Sequence, residues 1–206
     1  VLTTASAGWN NENTVQYQSD FGEDHSVTAL GGASFQQVST ESVFSEAFGI
    51  TSDATRFNNL GFSDPTRSVV SSAYSGFQIA SFFGRLNYTY KDKYLFTLVG
   101  RTDGSSVFAE GNKYEFYPSV AGAWKISEES FMENQNIFQN LKLRASYGKS
   151  GNQAIEPYRT LGVLVEANTT LNGVQNPGVA LGRPANPNLK WETTTSFDIA
   201  LEASFF

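Results

Sequence analysis

The segment Lys190–Phe206, KWETTTSFDIALEASFF, separates into two unlike sets when every second residue is taken. Trp191, Thr193, Thr195, Phe197, Ile199, Leu201, Ala203 and Phe205 form one set. Lys190, Glu192, Thr194, Ser196, Asp198, Ala200 and Glu202 form the other. Alternation of apolar and charged residues at period two marks a β-strand with different surroundings on its two faces. Here it runs far beyond the usual strand of about 5–6 residues.

Working outward, the same split recurs. From Ala80 to Tyr90, Ala80, Phe82, Gly84, Leu86, Tyr88 and Tyr90 oppose Ser81, Arg85, Asn87 and Thr89, with Phe83 an exception. Only Lys91–Lys93 separates this run from Tyr94–Asp103, where Tyr94, Phe96, Leu98 and Gly100 oppose Thr97, Arg101 and Asp103. Phe116–Trp124 and Leu141–Tyr147 alternate likewise, and His25–Gln36 does so more weakly. The reading is all-β, with about six antiparallel strands. The links 37–78, 104–114 and 148–189 are long and rich in Gly, Asn, Ser and Pro, whereas 91–93 is minimal and 126–140 moderate with a short helical turn. Long and short links alternate, so long loops gather at one end and short turns at the other. Such strands and such loop asymmetry describe a transmembrane β-barrel of the outer-membrane type.

Aromatic placement points the same way. With 91–93 as a periplasmic turn, Tyr88, Tyr90, Tyr94, Trp124 and Phe205 sit at one membrane boundary, and Phe116 and Trp191 at the other. Six strands do not close a membrane barrel, because known single-chain barrels start at about eight. An open edge in lipid leaves unpaired backbone groups, each costing several kcal/mol. The chain is therefore expected to be part of something larger, and its start on Val1 fits a mature or excised piece.

Composition removes other classes. The 206 residues carry 14 Lys+Arg against 20 Asp+Glu, a formal charge of −6, without the basic clusters that phosphate backbones require. No nucleic-acid partner is expected. With no Cys and a single His, thiolate sites, disulfides and His-pair metal sites are out, and no cofactor or metal is expected. No run approaches 18 uninterrupted apolar residues, so no transmembrane helix is expected. Carboxylate pairs such as Glu128/Glu129 and Glu110/Glu115 fall in turns and loops, where solvated charge is the plain reading, and His25 reads as a rim residue. No enzyme is expected.

Three stretches carry a family resemblance: FGRLNYTYKDKYLFTLVGRTDGSSVFAEGNKYEFYPSVAGAWKISEESF (83–131), NLKLRASYGKSGNQAIEPY (140–158) and NPNLKWETTTSFDIALEASFF (186–206). In order and spacing they resemble the barrel of SusC/RagA-type TonB-dependent transporters from the outer membranes of Bacteroidota. The resemblance implies a barrel of about 22 strands plugged by a separate domain, with residues 1–206 a partial TonB-dependent receptor β-barrel lacking the plug and the other strands. It implies a SusD-like lipoprotein over the mouth, energy from TonB, contact with membrane lipid, and import of glycans or peptides. The import function would belong to the parent protein.

Within that frame, the lumen-facing charges Arg85, Arg101, Asp103, Lys142 and Arg144 are the candidate substrate- or plug-contacting residues, with Glu192 and Asp198 on the last strand. Gly148-Lys149-Ser150 imitates the end of a phosphate-binding loop, but Leu143 stands where its first Gly belongs, and Gly148 and Gly151 read as turn glycines. Asp103-Gly104-Ser105-Ser106, with Asp53 and Asp64, offers oxygens without calcium-loop spacing and reads as a turn. Pro118 is expected near a rim. The contrasting reading is a secreted β-sandwich that binds carbohydrate on Trp and Tyr platforms.

Overall fold

In the computed structural model, which describes residues 1–50 and 53–205, the long strands are β1 (Leu2–Phe21), β2 (His25–Glu46), β3 (Val69–Tyr90), β4 (Tyr94–Ser105), β5 (Tyr114–Lys125) and β6 (Phe138–Asn152). Four short strands follow: β7 (Val163–Glu166), β8 (Thr169–Leu171), β9 (Val174–Asn176) and β10 (Val179–Arg183). The last is β11 (Glu192–Phe205). Seven strands pair antiparallel in the order β1-β2-β3-β4-β5-β6-β11, while β7/β10 and β8/β9 are separate ribbons within the last long loop. Phe206 lies outside the described residues.

The seventh strand is β1, and two others are longer than their patterns suggested. β2 continues to Glu46 and β3 begins at Val69, so much of the link read as 37–78 is paired strand. A strand of 22 residues extends about 70 Å at roughly 3.3 Å per residue, about twice the 9–11 residues needed to cross a bilayer. The excess lies at the long-loop end. Its residues are hydroxyl- and amide-rich on both faces, with Ser6 and Thr40 hydroxyls 3.0 Å apart and Gln78 Nε2 donating to Gln37 Oε1 at 3.2 Å. Alternation fails there because both faces meet water.

Turn chemistry closes the opposite end. Lys91 and Asp92 both take positive φ (52° and 55°), matching the twist of a tight hairpin, and Gly22 does so (φ 69°) between β1 and β2. The link between β5 and β6 forms two 3₁₀ turns, Ile126–Glu128 and Ser130–Met132, as the moderate link suggested.

The pairing registers carry single rows of side chains across the sheet. One row reads Tyr17, Ala29, Leu86, Leu98, Val120, Tyr147, Phe197. Alternate positions on the other face give Leu30, Arg85, Val99, Ser119, Gly148 and Ser196. Among the described residues no second layer covers the outward face, and the inner face is covered only at its upper end, by loops. Phe197, Ile199 and Leu201 stay 67%, 67% and 64% exposed, far more than a sandwich core would leave, and the β-sandwich reading is not supported.

The buried apolar cluster is small and sits above the sheet's centre. Val107, Phe108, Tyr117 and Trp191 form it, with Phe77 and Ile155 packed alongside. It fills a fork: the β5–β6 ladder stops at Ser119↔Gly148, while β6 remains paired with β11 up to Asn152↔Glu192. Pro118 sits at the mouth of this fork, where the sheet opens, rather than at the outer rim. Trp191 precedes β11 and is only 8% exposed, so it is a core residue of the loops and not part of an upper aromatic girdle.

Two glycine readings also change. Gly148 and Gly151 belong to β6 and neither has positive φ. Their role is close approach: a Cβ on Gly151 would overlap the Tyr117 hydroxyl, and one on Gly148 would lie 2.6 Å from Ser119 Oγ.

Candidate functional site

The two faces present different chemistry. On the outward face the lowest row is Phe21, His25, Tyr90, Tyr94, Trp124, Leu143, Leu201. Its rings touch in series: His25 tilted on Tyr90 at 5.0 Å, then Tyr90 stacked on Tyr94 at 6.1 Å and Tyr94 on Trp124 at 6.4 Å. Tyr88 joins through a 2.8 Å hydrogen bond to His25 Nδ1, and Phe205 packs on Phe138 at 5.1 Å. Amphipathic rings at one level form the girdle of a membrane-spanning barrel.

Glu129 gathers the polar heads of this girdle. Its Oε1 accepts from Tyr94 Oη at 2.6 Å and from Trp124 Nε1 at 3.0 Å, and Lys93 Nζ lies 3.6 Å from Oε2. The Tyr94 hydroxyl chiefly, then the Trp124 indole, hold the Glu129 carboxyl below its ordinary range. Its place in a turn reads in sequence as solvated charge. The usable signal was its place one short turn beyond Trp124.

The five candidate residues all project from the inner face, by the parity of the registers. Arg101 and Asp103 satisfy each other: Arg101 Nε reaches both Asp103 oxygens at 2.8 and 2.9 Å, and Nη2 donates to Ser81 Oγ at 3.1 Å. The Arg101 guanidinium also lies 5.5 Å from the Phe83 ring centroid. That explains Phe83 as the exception to alternation: its ring covers Gly32, where a Cβ would come within 2.6 Å of it. Arg144 Nη2 meets Glu202 at 2.6 Å, and Lys142 Nζ lies 3.8 Å from the same carboxylate. Arg85 stands exposed between Leu30 and Val99, away from these pairs.

Asp103-Gly104-Ser105 is strand, not turn, and the oxygens of Asp103 are taken by Arg101. Asp64 accepts from the Thr66 hydroxyl and amide at 2.7 and 2.9 Å, bonds that hold its carboxyl below the ordinary range. The side chain of Asp53 lies outside the described residues. No cluster of three or more metal-ligating side chains occurs among the described residues, and no helix there is long and apolar enough to cross a membrane.

Above the inner face, loops 106–113 and 153–191 are fastened down. Trp191 Nε1 donates to the Lys113 carbonyl at 2.9 Å, Asn112 Nδ2 to the Pro187 carbonyl at 3.0 Å, and Ser105 Oγ to Gln153 Oε1 at 2.6 Å. Tyr117 and Phe77 reach this cluster from inner-face positions, so the long loops fold over the inner side. The sheet thus offers an apolar outer wall, a charged inner wall and an ordered ceiling at one end.

The family model for the TonB dependent receptor-like β-barrel matches residues 2–206. The chain is 76% identical over 206 residues to TonB-dependent receptor P26 of Formosa agariphila, covering all of this chain and 21% of that protein. It is 40% identical over 195 residues to TonB-dependent receptor P3 of the same organism, covering 95% of this chain and 19% of that protein. To TonB-dependent receptor SusC of Bacteroides thetaiotaomicron it is 38% identical over 131 residues, 62% of this chain and 13% of that protein. The chain spans about a fifth of the length of each of these two Formosa receptors. Among solved structures, the RagAB peptide importer in its closed-closed state superposes over 100% of this chain and 22% of its own, with a TM-score of 0.89 and 26% identity.

Proposed function

We propose, from the premise that this chain belongs to the TonB-dependent receptor β-barrel family, that it forms seven neighbouring strands in the wall of an outer-membrane importer of glycans or peptides. The chain belongs to that family by a match across residues 2–206. In this reading the remaining strands and a plug domain lie in the rest of the whole protein. A SusD-like lipoprotein covers the mouth, and TonB supplies the energy. The observation that carries the reading is the correspondence of the complete chain with the RagAB peptide importer at a TM-score of 0.89.

The mechanism follows from the two faces. Leu86, Leu98, Val120 and Ile199 meet lipid and hold the wall in the membrane, while the inner face stays hydrated. Arg85, Arg101, Asp103, Lys142 and Arg144 contact solute or plug. Arg101 and the Lys142/Arg144 pair already have carboxylate partners, so they act as structured ion pairs, whereas Arg85 presents a guanidinium suited to bidentate contacts. The ordered loops narrow the entrance and give it a fixed shape.

Uptake by cells carrying the whole protein tests the reading. Labelled glycan and peptide pools should be imported by the wild type, and import should cease on deleting either TonB or the partner lipoprotein while the barrel still assembles. Undiminished uptake in both deletions would overturn it.

A further inference from the structure

The loop between β6 and β11 contains a cavity of about 590 Å³ that the inner wall does not account for. Ile155, Pro184 and Leu189 give it apolar sides, and Arg159, Arg183 and Asn186 bring polar groups into it. Concavity, apolar walls and a few convergent polar groups are the ordinary attributes of a ligand site.

Arg183 ends β10, and its Nη2 donates to the Tyr158 carbonyl at 3.0 Å. Its Nε is buried and has no acceptor among the described residues. An unanswered donor on a buried atom is costly and asks for an oxygen, and the rest of the Arg183 side chain is only half-buried, so the guanidinium stays open to the cavity. Tyr158 itself holds positive φ (64°), a conformation that a bulky residue rarely adopts and that tends to occur where a site is held in shape. Arg159 follows directly and pairs with Glu156, whose side chain is 73% exposed. So exposed a pair holds weakly and gives way to a better-placed anion.

We propose that this cavity binds an oxyanion group of the imported solute, with Arg183 and Arg159 as its two arms and Glu156 as the competitor that occupies Arg159 when no ligand is bound. A carboxylate, a sulfate and a phosphate each offer two or more oxygens to such a fork. The apolar sides receive the carbon frame that carries the charge. The inference rests on the importer reading for the source of the ligand, but its test needs no transport.

The test uses the whole protein in detergent, with acetate, sulfate and phosphate each titrated against chloride at matched ionic strength. Hydrogen-exchange protection is followed in residues 154–161 and 182–190. At least one oxyanion should give saturable protection, and which of the three does so separates carboxylate from sulfate or phosphate chemistry. Arg183→Lys keeps a donor for the Tyr158 carbonyl but loses the fork, and Arg159→Gln leaves that bond untouched. Both should weaken binding about tenfold, the size expected for one charge-assisted hydrogen bond. Glu156→Gln should tighten it by a few-fold, because the competitor is neutralised. Absence of saturable protection, or equal affinity in wild type, Arg183→Lys and Arg159→Gln, would overturn the proposal. Loss of uptake with this binding intact would count against the importer reading alone.

Discussion

Trp191 donates its indole N–H to the backbone carbonyl of Lys113, 2.9 Å away and 78 positions earlier in the chain. That bond joins the β4–β5 loop to the end of the β6–β11 loop at the sheet's upper end, and the Trp191 ring seals it by packing on Phe108 at 5.2 Å and edge-on to Tyr117 at 6.0 Å. Trp191→Ala should cost about 3–5 kcal/mol within this cluster, the usual range for a buried Trp. Exchange measured on residues 106–113 and 153–191 should rise sharply while β3–β5 stay protected. Trp191→Phe keeps most of the packing, loses the bond, and should cost about 1 kcal/mol.

Tyr117 is 5% exposed and its hydroxyl has no hydrogen-bond partner among the described residues. An unanswered buried hydroxyl costs about 1–3 kcal/mol, so Tyr117→Phe should leave the protein as stable as before or more so. Denaturant titration of the whole protein reads the sign directly. A loss above about 1 kcal/mol would mean that the hydroxyl meets an oxygen outside this chain.

Leu86 and Arg85 are neighbours on opposite faces and should respond in opposite ways. Leu86→Lys places a charge on the lipid side near the middle of the wall, costing about 2–4 kcal/mol, and Ile199→Lys, one row nearer the girdle on β11, should cost somewhat less. Both should reduce the heat-resistant folded fraction recovered from outer membranes. Arg85→Ala should assemble normally. Full assembly of both lysine variants would contradict a lipid-facing outer row.

Glu129 makes the lower girdle sensitive to acid. The hydrogen bonds from Tyr94 and Trp124 lower its folded-state pKa below the ordinary 4.5. Its contribution is therefore fully present above about pH 4.5 and is lost as pH falls through the folded value. Stability measured from pH 6 to pH 3 should decline more steeply in the wild type than in Glu129→Gln, with the two curves converging at the acid end. Parallel curves throughout would remove Glu129 as the anchor.

Much of the sheet was legible wherever its two faces meet different media. β4, β5, β6, β11 and the lower half of β3 alternate because, in the proposed barrel wall, one side meets lipid and the other water, and their registers place Leu86, Leu98, Val120 and Ile199 on the outward face. β1 and the upper halves of β2 and β3 were hidden for the converse reason: Ser6, Thr40, Ser42 and Ser72 stand where both sides are wet, so hydropathy carries no period there. Trp191 kept the alternation of β11 in sequence yet left the strand, because the fork between β5 and β6 offered it a buried partner in Tyr117. The inner charges could be assigned to one face, but not sorted into pairs. That Arg101 engages Asp103 two residues along its own strand, and that Arg144 and Lys142 share Glu202, depends on rotamers and cross-strand register. The Arg183 cavity was invisible, since its arms are 24 positions apart and meet only through the fold of a loop.

The unequal heights of the strands have a mechanical consequence. β1, β2 and β3 continue pairing up to Leu2↔Phe44 and Glu46↔Val69, whereas β4 ends at Ser105 and β5 starts at Tyr114. This arc of the rim therefore slopes, with a stiff parapet on one side and a low sill on the other. In the proposed barrel a rigid body resting on this arc would find one azimuth in which it lies flush, and rotation about the pore axis would lift it off the parapet. In the proposed barrel the slope would act as a key, with orientation set by the backbone hydrogen bonding of β1, β2 and β3 rather than by any particular side chain at the contact.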